Sequence, residues 1–259
     1  MANNAKQKYI EGLATYHKRL EAAIQTNYGI DTEYLEVISW GYHTTAIYAK
    51  STDNKEFLLK LADWSENKEV DVLRDIDVSN RLRSAMPTPM YIKNLSGNYT
   101  FRFEDKILRL SHYISGLSPL KMDFDILGQM VDLLKTIHSF KILHGDLTPH
   151  NVLISFGEIV AVMDFEMSST GPREWDLART AFFSWNYMSQ TAFDKVAQFV
   201  LEKYADTSIE SDLFYKYVVE NAQKHLASVK KHREDYDQQE DWERDCSFAK
   251  KQLELITTI

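Results

Sequence analysis

The sequence predicts an α+β chain of two lobes, a small antiparallel sheet followed by a mostly helical region. Three observations carry that expectation. Between residues 34 and 112, short runs alternate apolar and polar side chains and are broken by turn clusters such as Ser51-Thr52-Asp53-Asn54. From residue 123 onward, apolar residues recur at helical spacing. Between these regions lies His144-Gly145-Asp146-Leu147-Thr148-Pro149-His150-Asn151-Val152-Leu153, followed by Val162-Met163-Asp164-Phe165-Glu166. Strands first and helices after read as α+β, with one lobe over 1–112 and the other over 113–259.

Taken in order, residues 4–27 read as a helix, with Ile10, Leu13, Tyr16, Leu20 and Ile24 in register and Gly29 ending the run. Three strands follow, Tyr34 to Ser39, Thr44 to Lys50 and Glu56 to Leu61. The Trp40-Gly41-Tyr42-His43-Thr44-Thr45 stretch between the first two is a plain hairpin turn, or a loop whose backbone N–H groups fold over phosphates. Lys60 lies between apolar neighbours in Phe57-Leu58-Leu59-Lys60-Leu61. Such a lysine either faces solvent from a half-exposed strand or points into a cleft to meet α- and β-phosphates. Residues 66–84 read as an amphipathic helix with Val70, Leu73, Ile76 and Leu82 on its apolar side, ended by Pro87-Thr88-Pro89. Glu69 and Asp75 are its two candidates for an acid that pairs with Lys60. Strands at 99–103 and 106–112 complete the first lobe, and Tyr113-Ile114-Ser115-Gly116 reads as a hinge whose backbone can bond an adenine edge. Helices are expected at 123–140, from Arg173, and at 190–204, 209–230 and 234–258.

Composition excludes several classes. The 259 residues carry a net charge of −8, without the basic footprint that nucleic acid requires or a basic patch for anionic membranes. A single cysteine, Cys246, permits neither an intrachain disulfide nor a cysteine-rich zinc site. No run approaches a membrane span and the first ten residues lack a signal-peptide core, so a cytoplasmic protein is expected.

The central motifs carry the chemistry. Phosphoryl transfer needs an acceptor hydroxyl aligned with the γ-phosphorus and neutralisation of phosphate charge. Asp146 can orient the hydroxyl and accept its proton as the bond breaks. Asn151 and Asp164 supply the hard oxygen ligands that Mg²⁺ prefers. Each residue also has a plainer reading: Asp146 and Asn151 as turn formers, Asp164 as a helix cap, His144 as a core histidine bracing the loop. The plainer readings would all have to hold together at this spacing.

The HGDLTPHNVL, VMDFE and GPREWDLA segments resemble the aminoglycoside phosphotransferase and choline kinase-like family, a branch of the protein-kinase-like fold. The resemblance runs from about residue 34 to 190 and is specific in these three segments. It implies a nucleotide-binding N-terminal lobe and a catalytic, acceptor-binding C-terminal lobe, with ATP and Mg²⁺ as cofactors. It implies Asp146 as base, Asn151 and Asp164 as magnesium ligands, and Lys60 on the phosphates, with Thr44 and Asp75 in the same nucleotide site. The hinge backbone near His112 and Ile114 would hold adenine, and Asp176 would brace the catalytic loop beside His144. Thr148 and His150 depart from the family, which often carries His and Gly there.

Only ten residues separate Asp164 from Trp175, too few for the activation segment of a protein kinase. A small-molecule hydroxyl acceptor is therefore expected over a protein; aminoglycosides, amino alcohols, homoserine and sugars stay open. Trp175, Trp185, Tyr187 and Trp242, with seven acids among residues 234–245, make a cationic acceptor one option; a solvated helix face is the other reading of that run. A catalytically silent kinase-like binding protein is the competing class, and the retention of Lys60, Asp146, Asn151 and Asp164 opposes it.

Overall fold

The computed structural model describes residues 16–40, 44–236 and 238–258. It divides into two compact units. One runs up to Ser115 and also takes in Met163–Met167; the other comprises Gly116–Val162 and Ser168–Ile259. The change of unit falls three residues beyond the expected 112/113 boundary, and the Asp164 segment belongs with the sheet rather than with the helices.

The first unit opens with a helix over residues 16–28 (α1); the expected helical residues 4–15 lie outside the described ones. Strands β1 (Thr32–Trp40), β2 (Thr44–Ser51), β3 (Glu56–Asp63), β4 (Thr100–Phe103) and β5 (Lys106–His112) form one antiparallel sheet in the order β1-β2-β3-β5-β4. Successive side chains of a strand point to opposite faces. One face offers Ile47, Leu59, Leu108 and Leu110, which pack with Leu20 and Ile24 of α1. Each such fully buried aliphatic chain contributes about 1.5–3 kcal/mol. The other face offers Ala62 and Ile107, which pack with Val72 and Ile76 of helix α2 (Glu66–Leu82). Ser65 caps α2 by accepting from the Lys68 N–H.

The buried side of α2 corrects the sequence reading. Val70 and Leu73, expected inside, are exposed, whereas Val72, Asp75, Ile76, Ser79 and Leu82 are buried. The apolar residues of this helix do not by themselves mark its inner face, because that face carries a carboxylate. The helix also stops at Leu82, two residues before the expected end.

The second unit is built from α3 (Phe124–Ser139), a two-stranded hairpin of β6 (Val152–Ser155) and β7 (Glu158–Val162), then α4 (Arg173–Trp185), α5 (Phe193–Tyr204), α6 (Ser211–Lys231) and α7 (Gln239–Ile256). Asp123 caps α3 through the Ile126 N–H. Leu127, Met130, Val131 and Leu134 of α3, Leu177, Ala181 and Phe182 of α4, and Val196 and Val200 of α5 are all buried. Helix α5 starts at Phe193 rather than 190, because Gln190 turns the chain with φ +65°. Helix α7 starts at Gln239 rather than 234, since a separate 3-10 turn occupies Arg233–Asp235.

Candidate active site

In the second unit, the loop from His144 to Asn151 joins the end of α3 to β6. Gly145 takes φ +82°, a left-handed conformation that glycine adopts without steric cost. The turn is held from below by Asp176 of α4, which is fully buried. Its carboxylate accepts the backbone N–H of His144 at 2.7 Å and of Gly145 at 2.8 Å, and lies 3.1 Å from His138 Nε2. His138 Nδ1 in turn meets the Tyr204 hydroxyl at 2.8 Å. Buried His144 accepts the Asp146 N–H on Nδ1 at 3.2 Å. Thr180 Oγ1 donates to the Leu147 carbonyl at 2.7 Å. Donors, acceptors and backbone of this loop are thus fixed by groups on α3 and α4.

Asp146 itself is clamped on both oxygens. Arg179, one turn along α4 from Asp176, places Nε and Nη2 each 2.7 Å from Oδ1. Asn151 Nδ2 donates to Oδ2 at 3.1 Å and to the Asp146 carbonyl at 2.8 Å. Arg179 is aimed by Asn221 of α6, whose Oδ1 accepts from Nη1 at 2.9 Å, and by the Phe183 ring 4.7 Å away. Burial and the Arg179 charge both lower the pKa of neighbouring His225. Asn151 lies in a 3-10 turn, Pro149–Asn151, closed by its N–H on the Thr148 carbonyl. Thr148 is buried, and His150 is exposed with Nε2 2.5 Å from the Tyr187 hydroxyl. Of the two departures from the family pattern, His150 meets the segment after α4 through its side chain, while Thr148 enters the turn through its backbone carbonyl.

In the first unit, Lys60 and Arg109 sit side by side. They are cross-strand partners of β3 and β5, on the face that meets α2. The expected pairing of Lys60 with Asp75 is not made. Asp75 is fully buried, but its Oδ2 is taken by Arg109 Nη2 at 3.2 Å and by the Tyr91 hydroxyl at 2.6 Å. Its Oδ1 accepts the Phe165 N–H at 3.0 Å. Glu69, the alternative, accepts the Trp64 indole N–H at 3.2 Å instead. Arg109 lies on the adjacent strand, and its guanidinium can serve two carboxylates at once. Its second carboxylate is Glu166, at 3.0 Å. Glu166 is also paired with Lys68, and its carbonyl accepts from Arg74 at 2.5 Å. Burial alone would raise the pKa values of Asp75 and Glu166, yet Arg109 and the other partners hold both below the ordinary range.

Asp164 and Lys60 differ from this network. Asp164 has φ +68° and accepts no hydrogen bond from any described residue. Burial raises its pKa, against the pull of Lys60. Lys60 makes no ion pair among the described residues, and burial, then Arg109, lowers its pKa. Among the described residues, the two side chains thus influence each other through charge without a direct ion pair or hydrogen bond. No cluster of three His, Cys, Asp or Glu forms a metal site among the described residues. Mg²⁺ does not require one, since it is commonly held by one or two protein oxygens together with phosphate and water.

The remaining expectations divide. Ile114 makes no backbone hydrogen bond among the described residues. The His112 N–H is already spent on the Met90 carbonyl, and that of Tyr113 on Glu56. Thr44 is the first residue of β2, paired with Ala62, rather than part of a loop; Gly41, Tyr42 and His43 lie outside the described residues. The aromatic faces proposed for a cationic acceptor are covered from within: Lys224 lies 4.2 Å above Trp175 and Arg233 5.7 Å from Trp242. The Trp185 and Trp242 indole N–H groups bond Thr191 and Val229 carbonyls.

Sequence reasoning missed Arg109, Glu166, Tyr91 and Arg179. For Arg109 a signal was present. It lies in Ile107-Leu108-Arg109-Leu110, the same charged-among-apolar pattern that singled out Lys60.

A model of the phosphotransferase enzyme family matches residues 140–208. The chain is 28% identical over 155 residues to a probable serine/threonine protein kinase IRE4 of Arabidopsis thaliana, and 28% identical over 113 residues to a probable serine/threonine-protein kinase fnkE of Dictyostelium discoideum. These matches cover 54% and 41% of the chain but only 14% and 8% of those proteins. Among solved structures, amicoumacin kinase hAmiN in complex with AMP-PNP, Ca²⁺ and Ami is similar at TM-score 0.68 and 13% identity, over 100% of this chain and 96% of that one. Spectinomycin phosphotransferase APH(9)-Ia in complex with ADP and spectinomycin is similar at 0.63 and 13%, over 93% and 97%. An aminoglycoside phosphotransferase from Alicyclobacillus acidocaldarius is similar at 0.67 and 10%, over 92% and 93%. The chain carries the phosphotransferase-family pattern over residues 140–208 and has the protein-kinase-like fold of the aminoglycoside phosphotransferases.

Proposed function

We propose that the chain is an ATP-dependent kinase that transfers the γ-phosphate to a hydroxyl of a small molecule. The observation that carries this reading is a pair of opposite charges that feel each other but make no direct bond. Asp75, Arg109 and Glu166 are tied to protein partners, while the Lys60 and Asp164 side chains make no ion pair or hydrogen bond among the described residues. Lys60 takes phosphate oxygens. Asp164 and Asn151 would hold magnesium, which when bound neutralises phosphate charge. For Asn151 this means giving up its present bonds to Asp146, which frees Oδ2 of the base.

Asp146 orients the acceptor hydroxyl and takes its proton, while Arg179 keeps the other carboxylate oxygen fixed. Such a base supplies about 10²–10⁴-fold in rate. The Ile114 backbone offers the donor and acceptor for adenine. The short Asp164-to-Trp175 span supports a small acceptor over a protein, and the small molecules bound by APH(9)-Ia and hAmiN support the same class.

The test is an ATP-consumption screen against aminoglycosides, amino alcohols, homoserine and sugars, with Asp146→Asn as control. Turnover with one acceptor class, reduced at least about 10²-fold in the variant with ADP affinity kept, is the expected result. Tight nucleotide binding without turnover on any acceptor would replace this reading with that of a silent nucleotide-binding fold.

A further inference from the structure

We infer that Arg109 is a positioning residue for the Asp164 segment, acting through Asp75 on one side and Glu166 on the other; this rests on the kinase reading above. The geometry is specific. Arg109 is 4% exposed and bridges Asp75 Oδ2 at 3.2 Å and Glu166 Oε1 at 3.0 Å. Asp75 reaches the same segment from the other side, through the Phe165 N–H at 3.0 Å. Asp164 is therefore followed by two residues that this guanidinium helps to hold, Glu166 directly and Phe165 through Asp75. Its own side chain makes no hydrogen bond or ion pair among the described residues, and its backbone is left-handed. These bonds, together with those of Lys68 and Arg74 to Glu166, hold the segment from which the Asp164 carboxylate projects.

The arrangement also accounts for Lys60. In the expected scheme the acid of α2 fixes the lysine. Here Arg109 occupies that acid, so the helix is coupled to the metal-binding segment and the lysine is left without an ion pair for incoming phosphate. The strand register places the two cations as direct neighbours, and both Asp75 oxygens are bonded by Arg109, Tyr91 and the Phe165 N–H. Partners of metal ligands typically change metal affinity about 10–100-fold when removed.

The test is calorimetry of ADP binding to the full chain, with Mg²⁺ and with EDTA. Arg109→Met should lose about tenfold or more in affinity with Mg²⁺ and less than about threefold in EDTA. Arg109→Lys should recover part of the difference, since a point charge serves one carboxylate but not both. Glu166→Gln should show the same magnesium-specific loss, and the double variant should be no worse than Arg109→Met alone, because both act on one segment. A merely structural arginine would lower both affinities together, or neither; either result overturns the inference. Should Arg109→Met fail to fold, Glu166→Gln decides, and its retaining the full magnesium increment overturns the inference equally. A wild type with no magnesium increment would instead overturn the magnesium role in the parent reading.

Discussion

Replacing Asp176 by Asn changes one oxygen into an NH₂ group and leaves the shape of the side chain intact. The wild-type carboxylate accepts two backbone N–H groups, at 2.7 and 2.8 Å, and meets His138 at 3.1 Å. The amide keeps one acceptor oxygen, so whichever way it turns, its NH₂ faces the N–H of His144 or of Gly145. At least one charge-assisted bond is lost, about 1.5–3 kcal/mol, and one buried N–H is left without an acceptor, about 1–3 kcal/mol. The sum, about 2.5–6 kcal/mol, is a large fraction of the roughly 5–15 kcal/mol that holds a domain folded. Urea unfolding followed by tryptophan fluorescence reads this directly, because Trp175, Trp185 and Trp242 all belong to the helical unit. Turnover should fall with it, since Gly145 can no longer be held in the turn that presents Asp146. A loss below about 1 kcal/mol, with ATP turnover unchanged, would refute the idea that Asp176 fixes the catalytic loop.

Three further outcomes are expected. Asp164→Asn should stabilise the ligand-free protein at neutral pH. Burial raises the Asp164 pKa, so the favourable protonated state is fully present below about pH 4 and is lost as pH rises through the raised value. The stability gap between variant and wild type should therefore open with rising pH, and a gap independent of pH would remove Asp164 as its source. Arg179→Met should reduce turnover by about 10²-fold with ADP affinity unchanged, as expected for a misplaced base; wild-type kcat in that variant would end the positioning role of Arg179. Lys60→Met should abolish an alkaline fall in nucleotide affinity that, in the wild type, begins below the usual lysine value of about 10.4. A wild-type titration curve with no such fall up to that pH would contradict the lowered Lys60 pKa.

The strands were legible because alternation is a local property: β2, β3 and β5 lie within two residues of their expected bounds. The HGD, VMDFE and WDLA segments were legible because their chemistry is compressed into short motifs. What could not be read was which acid faces which cation. Asp75 is inside because Arg109 is, and those two residues are 34 positions apart in the chain, with their register set by the sheet. A buried charge is decided by its partner rather than by the apolar pattern of its own helix. Val70 and Leu73 misled for the same reason: the inner face of α2 carries Asp75 and Ser79, so its apolar stripe is broken. Arg179 was hidden differently. It follows the WDLA segment by one residue, and only the pairing of α4 with the catalytic loop shows that it reaches Asp146.

The left-handed backbone of Asp164 narrows the evolutionary exits from this position. Among side chains with a Cβ, only Asn and Asp enter that region with ease; Glu, Ala and the β-branched residues would strain it. Substitution to Glu would keep a charge but lose the turn, and substitution to Gly would keep the turn but lose the ligand. The one replacement with a Cβ that spares the backbone is Asn, reached by exchanging an oxygen for a nitrogen. A descendant that drifts away from catalysis while keeping its fold is therefore expected to carry Asn or Gly at 164, and its remaining Arg109, Asp75 and Glu166 would still bind one another with nothing left to aim.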